Sequence, residues 1–182
     1  MSAKTIIYLP RNDLRLFDNP VIQEVSRAYG TSAPPFTHFL PIYVFRAKQI
    51  ELSGLIPECN APSSTLTSPY PEARSRIAGL WRCGQHRARF LAESVWDLKT
   101  TFEQRGCGLV IRAGTLEDVI RDAFQYIDQS QSHPHKVEIV GVWMTQEHGF
   151  EEQQEESAVK RLVEASGREF RLFDNNKYLV EE

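Results

Sequence analysis

The chain has 182 residues, 41% of them hydrophobic, 25% charged and 10% aromatic, with ten Gly and ten Pro. These ordinary proportions exclude collagen-like, low-complexity and wholly disordered chains, and set one domain (1–182) as the expectation, large enough to bury roughly 70% of its unfolded surface. Lysine and arginine number 21 against 24 acidic residues, for a net charge of −3. That balance gives no general attraction to nucleic acid or to an anionic membrane. Cys59, Cys83 and Cys107 are too few and too far apart for a disulfide framework or a zinc ribbon, and an odd count fits a reducing compartment. No apolar run approaches the ~20 residues that span a bilayer. Met1-Ser2-Ala3-Lys4 leads straight into a strand-like run without a signal-peptide core. The expectation is a soluble, intracellular protein without membrane contact.

Along the chain, short apolar runs alternate with amphipathic stretches. Residues 5–9 are β-branched and apolar and stop at Pro10, as a buried strand does. Asn19-Pro20 then pairs a capping residue with proline at the first helical position, and Val21, Ile22, Val25 and Ala28 repeat at helical spacing up to Gly30. Residues 39–45 form a second strand with Pro41 near its start. The stretch 46–82, with Pro57, Pro62, Pro69 and Pro71, keeps no period and reads as a long irregular insertion. Leu91, Val95, Leu98 and Phe102 mark one face of a long helix closed by Gly106, and Phe90 and Leu91 are expected in the core.

Residues 109–112 give a third strand. Thr115 and Asp118 make a capping box ahead of the stripe Leu116, Val119, Ile120, Ala123, Phe124 and Ile127. After a polar loop come a strand at 137–144, a helix at 151–166 and a strand at 169–173. The alternation predicts an α/β, Rossmann-like, doubly wound sheet of five parallel strands with helices on both faces and right-handed crossovers, for which 3-2-1-4-5 is the order expected.

The usual self-sufficient chemistries are missing. The chain has no Gly-x-Gly-x-x-Gly after the first strand, no Walker loop, no nucleophile elbow and no His-Glu-x-x-His helix. Gly106-Cys107-Gly108 precedes a strand and reads as a tight turn. His133 and His135 flank Pro134 without a further ligand nearby, so no metal site is expected. No catalytic residue is assigned.

Two segments stand out. In the first, Arg11 and Arg15 flank Asp13, so that one carboxylate can order two guanidinium forks. The pattern favours a self-satisfied loop that positions the first helix; the alternative is an anion or domain-docking site. The second segment runs from Trp143 to Gly149 at the end of strand four. In open α/β sheets ligands sit beyond the strands' carboxyl ends where strand order reverses, which here is the crevice between strands one and four. Glu147 is the candidate acceptor for a ligand's N–H edge, balanced by its reading as an exposed loop carboxylate. Glu151, Glu152, Glu155 and Glu156 read as a solvated helix start favoured by the dipole, with Lys160 one turn beyond Glu156. The basic and aromatic stretch Arg74, Arg76, Trp81, Arg82, His86, Arg87, Arg89 fits a docking surface better than a phosphate-binding one.

Arg11-x-Asp13-Leu14-Arg15-x-x-Asp18-Asn19 after a short strand resembles the opening motif of the photolyase/cryptochrome family. His86-Arg87-Ala88-Arg89-Phe90-Leu91-Ala92-Glu93-Ser94-Val95 and Leu109-Val110-Ile111-Arg112-Ala113-Gly114 look like cryptochrome DASH. Phe36-Thr37-His38-Phe39-Leu40-Pro41, Ser68-Pro69-Tyr70-Pro71-Glu72-Ala73-Arg74-Ser75-Arg76 and Trp81-Arg82-Cys83-Gly84 are similar to its fungal members. Phe17 replaces a histidine common in the opening motif.

The resemblance implies an N-terminal α/β domain that carries an antenna pigment, commonly methenyltetrahydrofolate, with Glu147 matching the family's loop acid beside the pterin. It further implies that FAD, the repair of cyclobutane pyrimidine dimers in single-stranded DNA and the photoreceptor role all belong with a helical C-terminal domain. That domain has no counterpart in these residues. The chain is therefore expected to be repair-inactive by itself, to meet DNA only through the missing domain, to bind folate weakly or not at all, and to be capable of self-association through its exposed docking surface. The competing readings are a flavin-free protein-interaction module and a generic nucleotide-binding domain, the latter disfavoured by the missing glycine loop.

Overall fold

The computed structural model describes residues 3–46, 83–129 and 136–174. The long proline-rich stretch predicted over 46–82, and with it Cys59, Arg74, Arg76, Trp81 and Arg82, lies outside the described residues apart from Arg46. So do His133 and His135. Chain order is β1 (Ala3–Leu9), α1 (Pro20–Tyr29), β2 (His38–Arg46), α2 (Gln85–Gln104), β3 (Val110–Gly114), α3 (Leu116–Gln129), β4 (Val137–Thr145), α4 (Phe150–Ala165) and β5 (Glu169–Phe173). All four strand pairings are parallel, as the alternation predicts, and the order across the sheet is the expected β3-β2-β1-β4-β5.

Strand pleating sorts the apolar residues into two layers. Ile7, Leu9, Ile42, Val44, Val142 and Met144 face α3 and α4, meeting Leu116, Ile120, Phe124, Val159 and Val163. Ile6, Tyr8, Trp143 and Phe173 face the other side, against Val21 and Val25 of α1 and the loop residue Phe36. Farther along that side Tyr43 packs with Val95, Leu98 and Phe102 of α2 and with Leu109. Trp143 is wedged between two rings, edge-on to Phe36 at 5.4 Å and tilted against Phe173 at 5.2 Å. Such geometry adds to simple area burial.

Local chemistry sets the helix ends. Asn19 is fully buried; its side-chain oxygen accepts from the backbone N–H of Val21 and Ile22, and its amide donates to the Tyr8 hydroxyl. Asp18, at φ 56°, makes the left-handed turn into that cap, a conformation Asp tolerates. Thr115 Oγ1 accepts from the Asp118 N–H at 3.1 Å and donates to its carboxylate, so the capping box forms. That hydrogen bond, together with Arg121, lowers the Asp118 pKa. Pro41 fits because β2 changes partner beside it: residues up to Pro41 pair with β1, and pairing with β3 begins at Ile42.

Phe90 departs from expectation. It is 71% exposed, because the buried face of α2 turns through Ala88, Leu91, Val95, Leu98 and Phe102 and leaves position 90 about a quarter-turn outside it.

At Gly141 the sheet leaves no room for a side chain. A Cβ there would lie 2.9 Å from the Glu169 carbonyl oxygen and 3.3 Å from Ile6 Cδ1, beside the register irregularity between Thr5 and Ile6. Gly141→Ala should therefore destabilise the fold by about 1–3 kcal/mol, read as a lower urea midpoint; an unchanged midpoint would show that β4 and β5 can separate at no cost.

The buried phenols carry a second expectation. Burial raises the Tyr43 pKa from 10.0 to about 12, partly opposed by Arg46, and burial raises Tyr8 further still. Above about pH 10 the unfolded chain loses these protons while the folded chain keeps them, so stability should fall as pH rises through the window from 10 to 12. Thermal midpoints should be flat from about pH 7 to 9 and then decline, with a shallower decline in Tyr43→Phe. Equal slopes in the two proteins would assign the alkaline loss to other groups.

Candidate crevice at the carboxyl ends of β1 and β4

The chain leaves β1 through Pro10, and the next side chain turns inward. Arg11 is buried. One terminal nitrogen donates to the Thr145 carbonyl at 2.5 Å and to Glu156 Oε1, and the other donates to the Glu152 carbonyl at 3.3 Å. Glu156 Oε1 also accepts from the Glu147 backbone N–H at 2.8 Å. The Arg11 and Glu156 side chains are 1% and 9% exposed, so the ion pair lies out of water, where each charge depends on the other.

A second arginine reinforces this junction. From the end of β2, Arg46 reaches Glu152 Oε1 and Glu155 Oε2 at 3.4 Å each, and donates to Asn12 Oδ1 at 2.7 Å. The ends of β1, β2 and β4 are thereby tied to the first turns of α4. The turn after β4 is held twice more, by Gln146 N–H on the Phe173 carbonyl at 2.7 Å and by the Gln153 N–H on the Gly149 carbonyl at 2.9 Å.

Two expectations change. Asp13 orders one guanidinium, not two: Arg15 binds it through Nε at 2.8 Å and a terminal nitrogen at 3.0 Å, raising the Arg15 pKa, while Arg11 is drawn to Glu156. The glutamates of α4 are not simply a solvated helix start. Glu156 lies on the same helical stripe as Val159 and Val163, one and two turns on, and that stripe faces the sheet. Lys160 pairs with Glu164 at 3.8 Å instead of neutralising Glu156. The 156, 159, 163 spacing was the signal for a buried carboxylate, and a lone arginine just after a buried strand was the signal for its partner.

The crevice does bring the two predicted segments together. Arg11 and Glu147 meet on one carboxylate oxygen, and Glu147 sits half-buried just past Thr145. Asp13 and Arg15 open instead onto a hollow of about 790 Å³ shared with Phe90, Glu93, Ser94 and Asp97 of α2. A smaller hollow, about 410 Å³, runs from Arg46 past Thr115 and Asp118 to Glu155; Glu147 lines neither. Phe17 is exposed, with the Arg105 guanidinium 5.3 Å above its ring. Cys83 is buried and Cys107 half-buried, and burial raises the Cys107 pKa. Among the described residues no group of three or more His, Cys, Asp or Glu side chains gathers as a metal site, and no helix is long and apolar enough to cross a membrane.

Removal of Arg11 leaves Glu156 charged and buried. Arg11→Ala should cost about 3–5 kcal/mol, against less than about 0.5 kcal/mol for Lys160→Ala in an exposed pair. Denaturant melts of the two variants check this; similar midpoints would show the buried pair to be dispensable.

Comparisons with known proteins agree with this architecture. A family model described as DNA photolyase matches residues 6–182. A putative mitochondrial cryptochrome DASH of Neurospora crassa is 40% identical over 98% of the chain, which covers 22% of that protein. A putative cryptochrome DASH of Gibberella zeae is 38% identical over 98% of the chain and 24% of its own length. The chain thus spans about a quarter of these relatives. Among solved structures, a Synechocystis cryptochrome superposes with a TM-score of 0.68 over 97% of this chain and 28% of its own, at 19% identity. An archaeal photolyase from Sulfolobus tokodaii gives 0.57 over 94% and 29%, at 17% identity. At those identities the structural likeness concerns the fold.

Proposed function

The chain belongs to the DNA photolyase family, and on that premise we propose that it is the chromophore-carrying α/β domain of a cryptochrome DASH flavoprotein, with Glu147 as the carboxylate that holds a folate antenna. The observation that carries this reading is the position of Glu147, half-buried beyond the end of β4 where sheet order reverses between β1 and β4. A carboxylate there can accept a hydrogen bond from the amino or ring N–H edge of a pterin. Family members bind a flavin and a light-harvesting chromophore; the S. tokodaii photolyase carries two FAD molecules, with a novel light-harvesting cofactor implied. Methenyltetrahydrofolate is the pigment that suits an N–H-reading acid.

In this proposal FAD and DNA engage a helical domain outside these residues, and the antenna passes its excitation to that flavin. Light-driven dimer repair then belongs to the two domains together. Arg11 is committed to Glu156, so docking falls to Asp13, Arg15 and the hollow they share with Phe90 on α2. The alternatives, an interaction module without flavin chemistry or a generic nucleotide binder, have less support, since nothing after β1 cradles a phosphate.

Affinity for a folate depends on how much of it is desolvated, and an open crevice desolvates little. Titration of methenyltetrahydrofolate into the chain, followed by its near-ultraviolet absorbance, should show saturable binding weaker than about 1 μM. Glu147→Gln should weaken it roughly tenfold, because an amide is uncharged and puts an NH2 donor where one carboxylate oxygen stood. Submicromolar binding overturns the expected weakness, and binding indifferent to Glu147→Gln overturns the assignment; tight binding of AMP or ADP favours the nucleotide reading.

A further inference from the structure

We propose that Glu156 and Arg11 are positioning residues for the antenna acid: Glu156 Oε1, held by Arg11, anchors the backbone of Glu147 and so fixes where its carboxylate stands. The proposal rests on the folate reading for its functional consequence, though not for its geometry. Nothing in the turn after β4 is a regular element. Its first residue, Gln146, is fixed by the Phe173 carbonyl, and Gly149 already belongs to the start of α4. Between them the Glu147 N–H donates to Glu156 Oε1 at 2.8 Å.

That oxygen is itself fixed. The guanidinium bound to it also donates to the Thr145 carbonyl at 2.5 Å, two residues before Glu147, and to the Glu152 carbonyl on α4. Strand end, turn and helix therefore meet on one buried guanidinium–carboxylate pair. Charge-assisted bonds in a site shut off from water are short and stiff, and a binding group is only as well aimed as the shell behind it. A buried ion pair can usually be replaced by an apolar pair with little loss of stability. Its presence at this junction is explained if the oxygen is needed as an acceptor.

Two double variants separate positioning from structural support. Arg11→Met with Glu156→Leu removes both charges and the acceptor, whereas Arg11→Met with Glu156→Gln removes the charges but keeps an acceptor for the Glu147 N–H. In the first, amide hydrogen exchange at Glu147 should rise about tenfold or more over wild type, at a thermal midpoint close to that of the second variant, and methenyltetrahydrofolate should bind roughly five- to tenfold more weakly. In the second, both quantities should fall between the apolar variant and wild type, because the acceptor is kept but Arg11 no longer holds it.

Unchanged exchange at Glu147 in the apolar variant overturns the proposal, as does raised exchange with folate affinity left intact. If wild type binds no folate, as an open crevice that desolvates little of the ligand allows, the exchange pattern alone decides whether Glu156 anchors the turn. If the apolar variant does not fold, wild type alone decides: its Glu147 amide should exchange about a hundredfold or more below the free-peptide rate, and a rate near that of a free peptide refutes the anchor.

Discussion

A single buried carboxylate oxygen organises the functional end of this molecule. Parallel sheets end in a row of loops that have no ladder to hold them, and the ligand-facing edge of such a fold has to be stiffened by side chains. Here the stiffening is ionic. Arg11 reaches from β1 to α4 and Arg46 from β2 to the same helix, while Glu152, Glu155 and Glu156 receive them. The arrangement converts three independent strand ends into one braced surface. Its cost is dependence: a charge taken out of water and matched by one partner cannot lose that partner cheaply.

The two layers beneath are what make the brace possible. Val159 and Val163 pack on the sheet and fix the rotation of α4; once that rotation is set, helical spacing carries Glu156 to the sheet side at the open end. Trp143, Phe36 and Phe173 fix the opposite layer in the same way, holding β4 so that Thr145 presents its carbonyl to Arg11. Packing chooses the geometry, and the ion pair makes use of it.

The alternation of apolar runs and amphipathic stretches was enough to read a parallel sheet with right-handed crossovers, while the order 3-2-1-4-5 entered as one of the common doubly wound arrangements. Asn19-Pro20 and Thr115 with Asp118 were readable because capping is local. The brace was not, since it joins residues 145 positions apart, and sequence proximity pointed Arg11 toward Asp13 instead. Phe90 was misread for a related reason: α2 carries apolar residues at 90, 91, 95, 98 and 102, and a helix can bury only one stripe. The meeting of the two candidate segments, by contrast, followed from topology once β1 and β4 were neighbours.

Electrostatics at this edge bears on what can bind there. A helix N-terminus at the switch point of an α/β sheet is ordinarily an anion site, with its N–H groups and dipole turned toward phosphate. In this chain that end of α4 bears Glu151 and Glu152 in its first turn, with Glu155 and Glu156 close behind, and the nearby guanidiniums of Arg11 and Arg46 are bound to these same glutamates. A phosphate would approach carboxylates whose counter-charges are engaged, whereas a ring that offers amino and N–H groups would approach acceptors. On the function proposed above, the same glutamates that brace the strand ends disfavour a nucleotide phosphate in the crevice and leave a donor-edged heterocycle the better match. That is the physical ground for proposing a pterin, not a nucleotide, at Glu147.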